Sequence, residues 1–131
     1  MSATLREALL ERMRSVLTPT YDGVAEIPTT PTTARYAVLH DDPGALSSDD
    51  VANTPRLVRH YPQVTAVGTT SQQVGDVARR IYTALVGWTP QVDGWLYGPV
   101  EQVSSGRSVR DDDVKPPVYT VPLVFDVRGS R

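Results

Sequence analysis

The chain has 131 residues, a formal net charge of −2, 40% hydrophobic residues and 21% charged residues, and a sequence pI near 5.6. This length and composition predict one globular domain that spans residues 1–131. Because basic residues do not outnumber acidic ones, binding to nucleic acid, whether to specific bases or to the phosphate backbone, is not expected as its primary function. No apolar run approaches the ~18 residues that span a bilayer. The sequence contains no cysteine, which excludes disulfides, thiolate catalysis and Cys-ligated metal centres.

The first predicted element is an amphipathic helix over residues 4–17. Thr4 and Glu7 form a capping-box pattern at its start. The Thr18-Pro19 dipeptide ends it, because a residue before proline avoids the α region. Apolar residues recur between these signals at spacings of three and four, at Leu5, Leu9, Leu10, Met13, Val16 and Leu17.

Three segments with weaker patterns follow the helix. Residues 18–34 are rich in Thr and Pro and suit an extended linker or one short edge strand at residues 21–27. Residues 35–40 predict a short strand with Tyr36 and Val38 on one face and Ala37 and Leu39 on the other. The polar residues 41–56 predict a loop that is long enough to be functional.

The central part of the chain predicts a strand and then a second helix. Residues 57–68 have strand composition, and Pro62, which cannot donate to a ladder, predicts a bulge or a sheet edge there. Thr70 and Gln73 repeat the capping-box pattern. An apolar stripe and a terminal glycine then define the helix, at Val74, Val77, Ala78, Ile81, Tyr82, Leu85 and Gly87.

The last part of the chain predicts two more strands. A turn follows Trp88, and a strand begins near Trp95. Residues 119–127 alternate strictly, as a half-buried strand does, and Pro122 again predicts an edge or a bulge. The fold class is therefore α+β, an antiparallel or mixed β-sheet with two α-helices packed on one face. We expect the stripe of the second helix to pack on residues 119–127.

Candidate catalytic and metal-binding groups are few. Asp111, Asp112 and Asp113 could ligate a hard cation, but three consecutive residues point in different directions and the EF-hand pattern is absent. A solvated acidic loop is therefore the preferred interpretation. His40 precedes two aspartates, which suits base catalysis, yet no serine lies in a Gly-x-Ser-x-Gly motif. We predict no catalytic residue, no metal site and no cofactor, although a triad assembled from distant residues stays open.

The aromatic residues of the second half predict packing rather than ligand binding. Core and subunit-interface roles are favoured over an aromatic ligand platform, because aromatic residues are enriched at both. The residues concerned are Trp88, Trp95, Tyr97 and Tyr119.

A segment of mixed charge lies just before the last strand. The stretch "RSVRDDDVK" carries both charge signs within nine residues. In a symmetric ring such a segment can pair with its copy on the neighbouring subunit, which fixes register more than it adds affinity. Its charged residues are the candidate subunit-interface residues, namely Arg107, Arg110, Asp111, Asp112, Asp113 and Lys115.

Four stretches, taken in order, are distributed over nearly the whole chain, from residue 5 to residue 127. They are "LREALLERMRSVL", "ARYAVLHDDPG", "YPQVTAVGTTSQQVGDVARRIYTALVGW" and "VRDDDVKPPVYTVPLVFDV". In this order the chain resembles the tail terminator proteins of siphophages, especially forms from phages of actinobacterial hosts. The last two stretches carry most of the specificity of the resemblance. That family has no invariant catalytic residue to carry over.

The resemblance implies a non-enzymatic virion protein, assembled in the host cytoplasm, that caps the head-proximal end of the tail tube as a homo-hexameric ring. The implied partners are copies of the chain itself, the major tail tube protein and the head-tail connector or stopper protein. The ring lumen would leave room for DNA to pass, and no membrane is involved. Three alternatives stay open: a head-completion or connector protein, a small non-viral binding module, and a cryptic hydrolase.

Overall fold

The computed structural model describes residues 2–16, 19–23, 35–40, 57–112 and 117–131, and the backbone of residues 45–47. Two helices are present in these ranges, α1 (Leu5–Val16) and α2 (Ser71–Leu85). The ten strands of the same ranges are β1 (Thr20–Asp22), β2 (Tyr36–His40), β3 (Ala45–Ser47), β4 (Leu57–His60), β5 (Gln63–Gly68), β6 (Gln91–Val92), β7 (Trp95–Tyr97), β8 (Glu101–Ser105), β9 (Val109–Asp111) and β10 (Val118–Ser130).

The sheet is organised around β10, its longest described strand at 13 residues. The first part of β10 pairs with β5 on one side and with β8 and β9 on the other. Its last part pairs with β4 on the first side and with β7 on the second. All of these pairings are antiparallel, so β10 is the shared central strand of both halves of the sheet.

Strands β4 and β5 form one line along β10 that is interrupted at Pro62. Val124 pairs with Gln63 and Val127 with His60, so three residues separate the pairs on both strands and the register does not shift. The Phe125 N–H donates to the Pro62 carbonyl at 3.0 Å, and only the bond that proline cannot donate is missing. The predicted bulge is therefore absent on the β10 side, where one missing hydrogen bond accommodates Pro62. On the other side the described pairs end at Gln63 and Arg59, so the alternative of a sheet edge at Pro62 stays a prediction.

The opposite side of β10 is irregular. Leu123 pairs with Ser105 while Phe125 pairs with Gln102, two residues against three, and the ladder is bulged between Val124 and Phe125. The backbone of Pro122 faces the break between β8 and β9, where its carbonyl accepts from the Gly106 N–H at 2.8 Å. The observed bulge therefore lies two residues beyond Pro122, while Pro122 itself pairs in register with Thr65 of β5. Bulges increase local twist, which curls this side of the sheet.

The remaining strands make the sheet mixed. β2 pairs antiparallel with β5, and β1 lies parallel to β2 at the edge. The edge strand expected within residues 21–27 is therefore present at Thr20–Asp22, whereas residues 24–34 lie outside the described residues. The loop predicted over residues 41–56 contains β3, which pairs with β4, so that prediction is wrong for residues 45–47.

Both helices begin where the capping patterns predict. The Thr4 hydroxyl accepts from the Glu7 N–H at 3.2 Å, and the Glu7 carboxylate accepts from the Ala3 N–H at 3.2 Å. The Thr70 hydroxyl accepts from the Gln73 N–H at 3.1 Å. Side chains thereby satisfy amide groups that the first helical turn leaves without an intrahelical acceptor. α2 ends at Leu85, and Gly87, the residue after the C-cap Val86, has a φ of 83° that suits glycine.

The core lies between the two helices and one face of the sheet. Alternate residues of β10 point to this helix side, where Val121, Leu123, Phe125 and Val127 are buried. They form one cluster with the α2 stripe and with α1 residues such as Leu9 and Met13. The α+β class, the helices on one face and the packing of α2 on β10 are confirmed.

Candidate subunit interface

Part of the predicted interface segment forms an edge strand rather than a loop. Val109, Arg110 and Asp111 make up β9, and they pair with Thr120, Tyr119 and Val118 of β10. The β-branched Val109 and the partner strand override the polarity on which the loop prediction rested. Arg107 lies in the break between β8 and β9 and is exposed. Asp113 and Lys115 lie outside the described residues.

Arg110 and Asp112 form an exposed ion pair. The Arg110 Nε lies 2.7 Å from Asp112 Oδ1, and the two side chains are 56% and 69% exposed. A pair so open to solvent adds little stability, because water and salt screen it. Both charges are therefore available for exchange with charges on another molecule.

Asp111 lies in a different environment from Asp112. It is half-buried on β9, and its charge acts on Tyr36 of β2. Burial raises the pKa of Tyr36, with smaller contributions in the same direction from Tyr21 and Asp111. The rings of Tyr21 and Tyr36 meet edge to face at 5.4 Å. The described part of the acidic triplet is therefore not uniformly solvated.

Among the described residues, a charged cluster held by four side-chain hydrogen bonds was not among the predicted sites. Asp126 of β10 is only 6% exposed and accepts two hydrogen bonds from Arg59, at 3.2 Å from Nε and 2.9 Å from a terminal nitrogen. Arg128 donates two more to its Oδ2, at 3.2 and 3.0 Å. The Arg59 pair is bidentate, whereas both Arg128 donors share one oxygen; together the four bonds orient both guanidinium groups.

The electrostatics of this cluster follow from those bonds. Hydrogen bonding from Arg59 lowers the pKa of Asp126 below its ordinary value, with burial opposing and Arg128 adding to the effect. The same hydrogen bond raises the pKa of Arg59. Arg59 and Arg128 lie directly opposite each other on β4 and β10, a like-charge pair that would repel without the carboxylate between them.

Apolar and aromatic side chains surround the two arginines on the outer face of the sheet, opposite the helices. The Arg59 guanidinium lies 5.0 Å from the centre of the Tyr61 ring. Leu57 and Leu96 both lie opposite Ser130, one on each side of it, and Leu96 is 78% exposed. We call this surface the arginine patch: Leu57, Arg59, Tyr61, Leu96 and Arg128.

A sequence signal for the arginine patch does exist. In an alternating strand, Asp126 and Arg128 are two residues apart and share a face. Arg59 lies on the strand segment that faces them, and Tyr61 follows it by the same spacing. What the sequence does not contain is the register that brings Arg59 opposite Arg128.

The histidines lie on opposite faces of the sheet. His40 meets the Thr65 hydroxyl at 3.2 Å on the outer face, whereas His60 is buried near the Tyr97 hydroxyl, at 3.4 Å. Within the described ranges no group of three or more His, Asp or Glu is placed to hold a metal ion. No helix in these ranges is long and apolar enough to cross a membrane.

The aromatic residues of the second half pack as the core interpretation predicts. Four of them are partly buried against the core cluster, namely Trp88, Trp95, Tyr97 and Tyr119. A shallow recess of about 300 Å³ borders Trp88 and α1. Arg12 crosses it, with its guanidinium 5.6 Å from the centre of the Trp88 ring and its Nε donating to the Ala84 carbonyl at 2.8 Å.

Two solved structures share this fold at low sequence identity. One is a chain of a structure described as "Virion of native gene transfer agent (GTA) particle"; it superposes with a TM-score of 0.73 at 20% identity, covering 97% of this chain and 95% of that chain. The other superposes with a TM-score of 0.69 at 23% identity, covering 97% and 94%. No protein-family model and no curated protein match the chain.

Proposed function

We propose that this chain is a structural subunit of a phage virion and, within it, the tail terminator. In this role six copies form a ring on the head-proximal end of the tail tube. The observation that carries the proposal is the superposition, over 97% of the chain, on a chain of a gene transfer agent virion. The ordered resemblance of four sequence stretches to tail terminators narrows the role.

The surface of the subunit supports a function exerted through contacts. β9 and β1 lie at sheet edges, and an exposed edge can pair with another chain. Exposed apolar residues accompany both charged regions, Val109 near Asp112 and Leu96 in the arginine patch. A ring needs such surfaces because each subunit must contact two neighbours, the tube below and the connector above.

The second candidate is a head-completion or connector protein of similar size. The same fold match is compatible with it, since the structure that the chain superposes on is that of a virion, in which both roles exist. The two roles differ in which particle accumulates when the protein is absent. A terminator ends tube growth, whereas a connector joins finished parts.

The deciding experiment deletes the gene from the phage that encodes it. Tails that are abnormally long and not joined to heads are the expected result for a terminator. Tails of normal length that fail to join would move the assignment to a connector. Normal tails joined to full heads would contradict both roles. Negative-stain images of the purified protein test the ring itself, with six subunits expected.

A further inference from the structure

A closed ring joins two different surfaces of each subunit. A self-complementary contact between identical segments closes a twofold dimer, whereas a ring requires a heterologous contact. The pairing of the mixed-charge segment with its own copy, expected from the sequence, therefore does not close a ring, and the segment needs a complement elsewhere on the chain. The arginine patch offers exposed guanidinium groups at a distant position on the same chain.

The arginine patch is preorganised to bind a carboxylate. Asp126 holds Arg59 and Arg128 with four hydrogen bonds, yet their side chains remain 46% and 63% exposed. Asp126 offsets one of the two guanidinium charges, and Glu101, the register partner of Asp126, acts on Arg59. The patch therefore carries no net positive charge, and what it offers to an anion is the exposed guanidinium of Arg128. Because the side chains are already ordered, binding an anion costs little further conformational entropy.

The acidic segment lies at the other end of the same central strand. Asp111 pairs with Val118, and Arg59 pairs with Arg128. Ten residues of β10 separate these pairs, which corresponds to about 33 Å along a strand. The two charged surfaces therefore cannot meet within one subunit, but they are placed to meet between subunits.

We propose that the arginine patch of one subunit binds the exposed acidic end of β9 on a second copy, with Arg128 facing Asp112 of its neighbour. This inference rests on the proposed ring. Asp112 exchanges its solvent-exposed partner Arg110 for the fixed arginine, and Leu57, Tyr61 and Leu96 pack beside the new pair. Tyr and Arg are the residue types that most often dominate binding at interfaces.

A second copy suits this surface better than DNA does. Asp126 already neutralises one of the two arginines, and Glu101, the register partner of Asp126, adds a further negative charge beside them. The chain as a whole carries a net charge of −2. Leucines that flank the arginines suit a protein partner, whereas phosphate binding relies on an excess of basic residues.

Two charge reversals test the contact by complementation. Asp112→Arg alone and Arg128→Glu alone each place like charges across the contact, so rings should be lost in both. An equimolar mixture should restore them. In a ring in which the two variants alternate, every second contact joins the unchanged Arg128 and Asp112. The contacts between them join the two substituted positions, where the charges are exchanged but still opposite. Size-exclusion chromatography with light scattering measures the assembled mass.

Matched controls come from α2. Asp76 and Arg79 form an exposed ion pair at 3.4 Å, as Arg110 and Asp112 do, so Asp76→Arg and Arg79→Glu should leave rings intact. Thermal unfolding checks that each variant is folded. If Arg128→Glu unfolds because of Asp126, Leu96→Glu replaces it in the mixture, since that substitution adds the negative charge without touching the Asp126 carboxylate.

The outcomes separate this proposal from the proposed function. Wild-type rings with no recovery in either mixture overturn the Arg128–Asp112 contact and leave the ring standing. Rings that survive Arg128→Glu, together with loss of binding to double-stranded DNA, assign the arginines to DNA and overturn the contact. A wild-type chain that forms no ring, alone or on tail tubes, contradicts the ring and this contact with it.

Discussion

The two faces of β10 differ in how their side chains are buried. On the helix side, Leu123, Phe125 and Val127 are buried among residues of the same subunit. On the outer face, Asp126 is buried only because two arginines cover it, and those arginines remain half exposed. The helix side is completed within the chain, whereas the outer face leaves a charged and partly apolar surface exposed.

The largest expected effect comes from breaking the helix side. Phe125→Ala should lower the free energy of unfolding by about 3–5 kcal/mol and Ile81→Ala by about 2–5 kcal/mol, because each leaves a cavity between α2 and β10. Urea unfolding followed by circular dichroism measures both. Tyr82→Ala, on the exposed side of α2, is the control and should change little. A loss below about 1 kcal/mol for Ile81→Ala would mean that the buried face is assigned wrongly.

A smaller effect is expected from the buried charge on the outer face. Asp126→Ala should lower the free energy of unfolding by about 1–3 kcal/mol, since it removes hydrogen bonds to charged groups and leaves two arginines facing each other. The same unfolding assay applies. Asp112→Ala, which breaks only the exposed pair with Arg110, should stay within about 0.5 kcal/mol. Equal losses of unfolding free energy in the two variants would contradict the distinction between the buried and the exposed carboxylate.

The pH dependence of stability sharpens the same contrast. The pKa of Asp126 is lower in the folded state than in the unfolded state. Its contribution to the free energy of unfolding is therefore complete above the unfolded-state pKa of about 3.9, and it is lost as the pH falls through the folded-state pKa. The difference in unfolding free energy between the wild type and Asp126→Asn should therefore shrink as the pH decreases below about 4. A difference that stays constant from about pH 7 to about pH 2 would contradict this role of the carboxylate.

The smallest effect on stability is expected at Leu96. Leu96→Ser should change the unfolding free energy by less than about 0.5 kcal/mol, because the side chain is mostly exposed. Ring formation should nevertheless weaken, since Leu96 belongs to the arginine patch. Val16→Ser, at another exposed apolar residue, serves as the control. Intact rings in Leu96→Ser would exclude this leucine from the interface.

The helix side could be predicted from the sequence because buried residues recur at the regular spacing of a helix or a strand. The α2 stripe and the alternation over residues 119–127 each satisfy one rule that needs no knowledge of partners. The capping residues Thr4 and Thr70 act within one turn and are equally local. Helix positions, the faces of β2 and β10 and the fold class follow from these local rules.

The outer face could not be predicted in the same way because it depends on register. Arg59 meets Asp126 across 67 residues of sequence, and no local pattern specifies that pairing. Short strands were missed for a related reason. β3 and β9 have three residues each, too few for a periodic signal, and they exist because a neighbouring strand offers them hydrogen bonds.

The position of β10 in the chain has a consequence for synthesis. β4, β5, β7, β8 and β9 all pair with it, and all of them precede it in the sequence. During translation these strands cannot form their hydrogen bonds with β10 until β10 has left the ribosome. A nascent chain that stops short of residue 118 therefore lacks the strand that both halves of the sheet share. Such a fragment lacks Asp126 and Arg128, so it cannot form the arginine patch that the proposed contact between subunits requires.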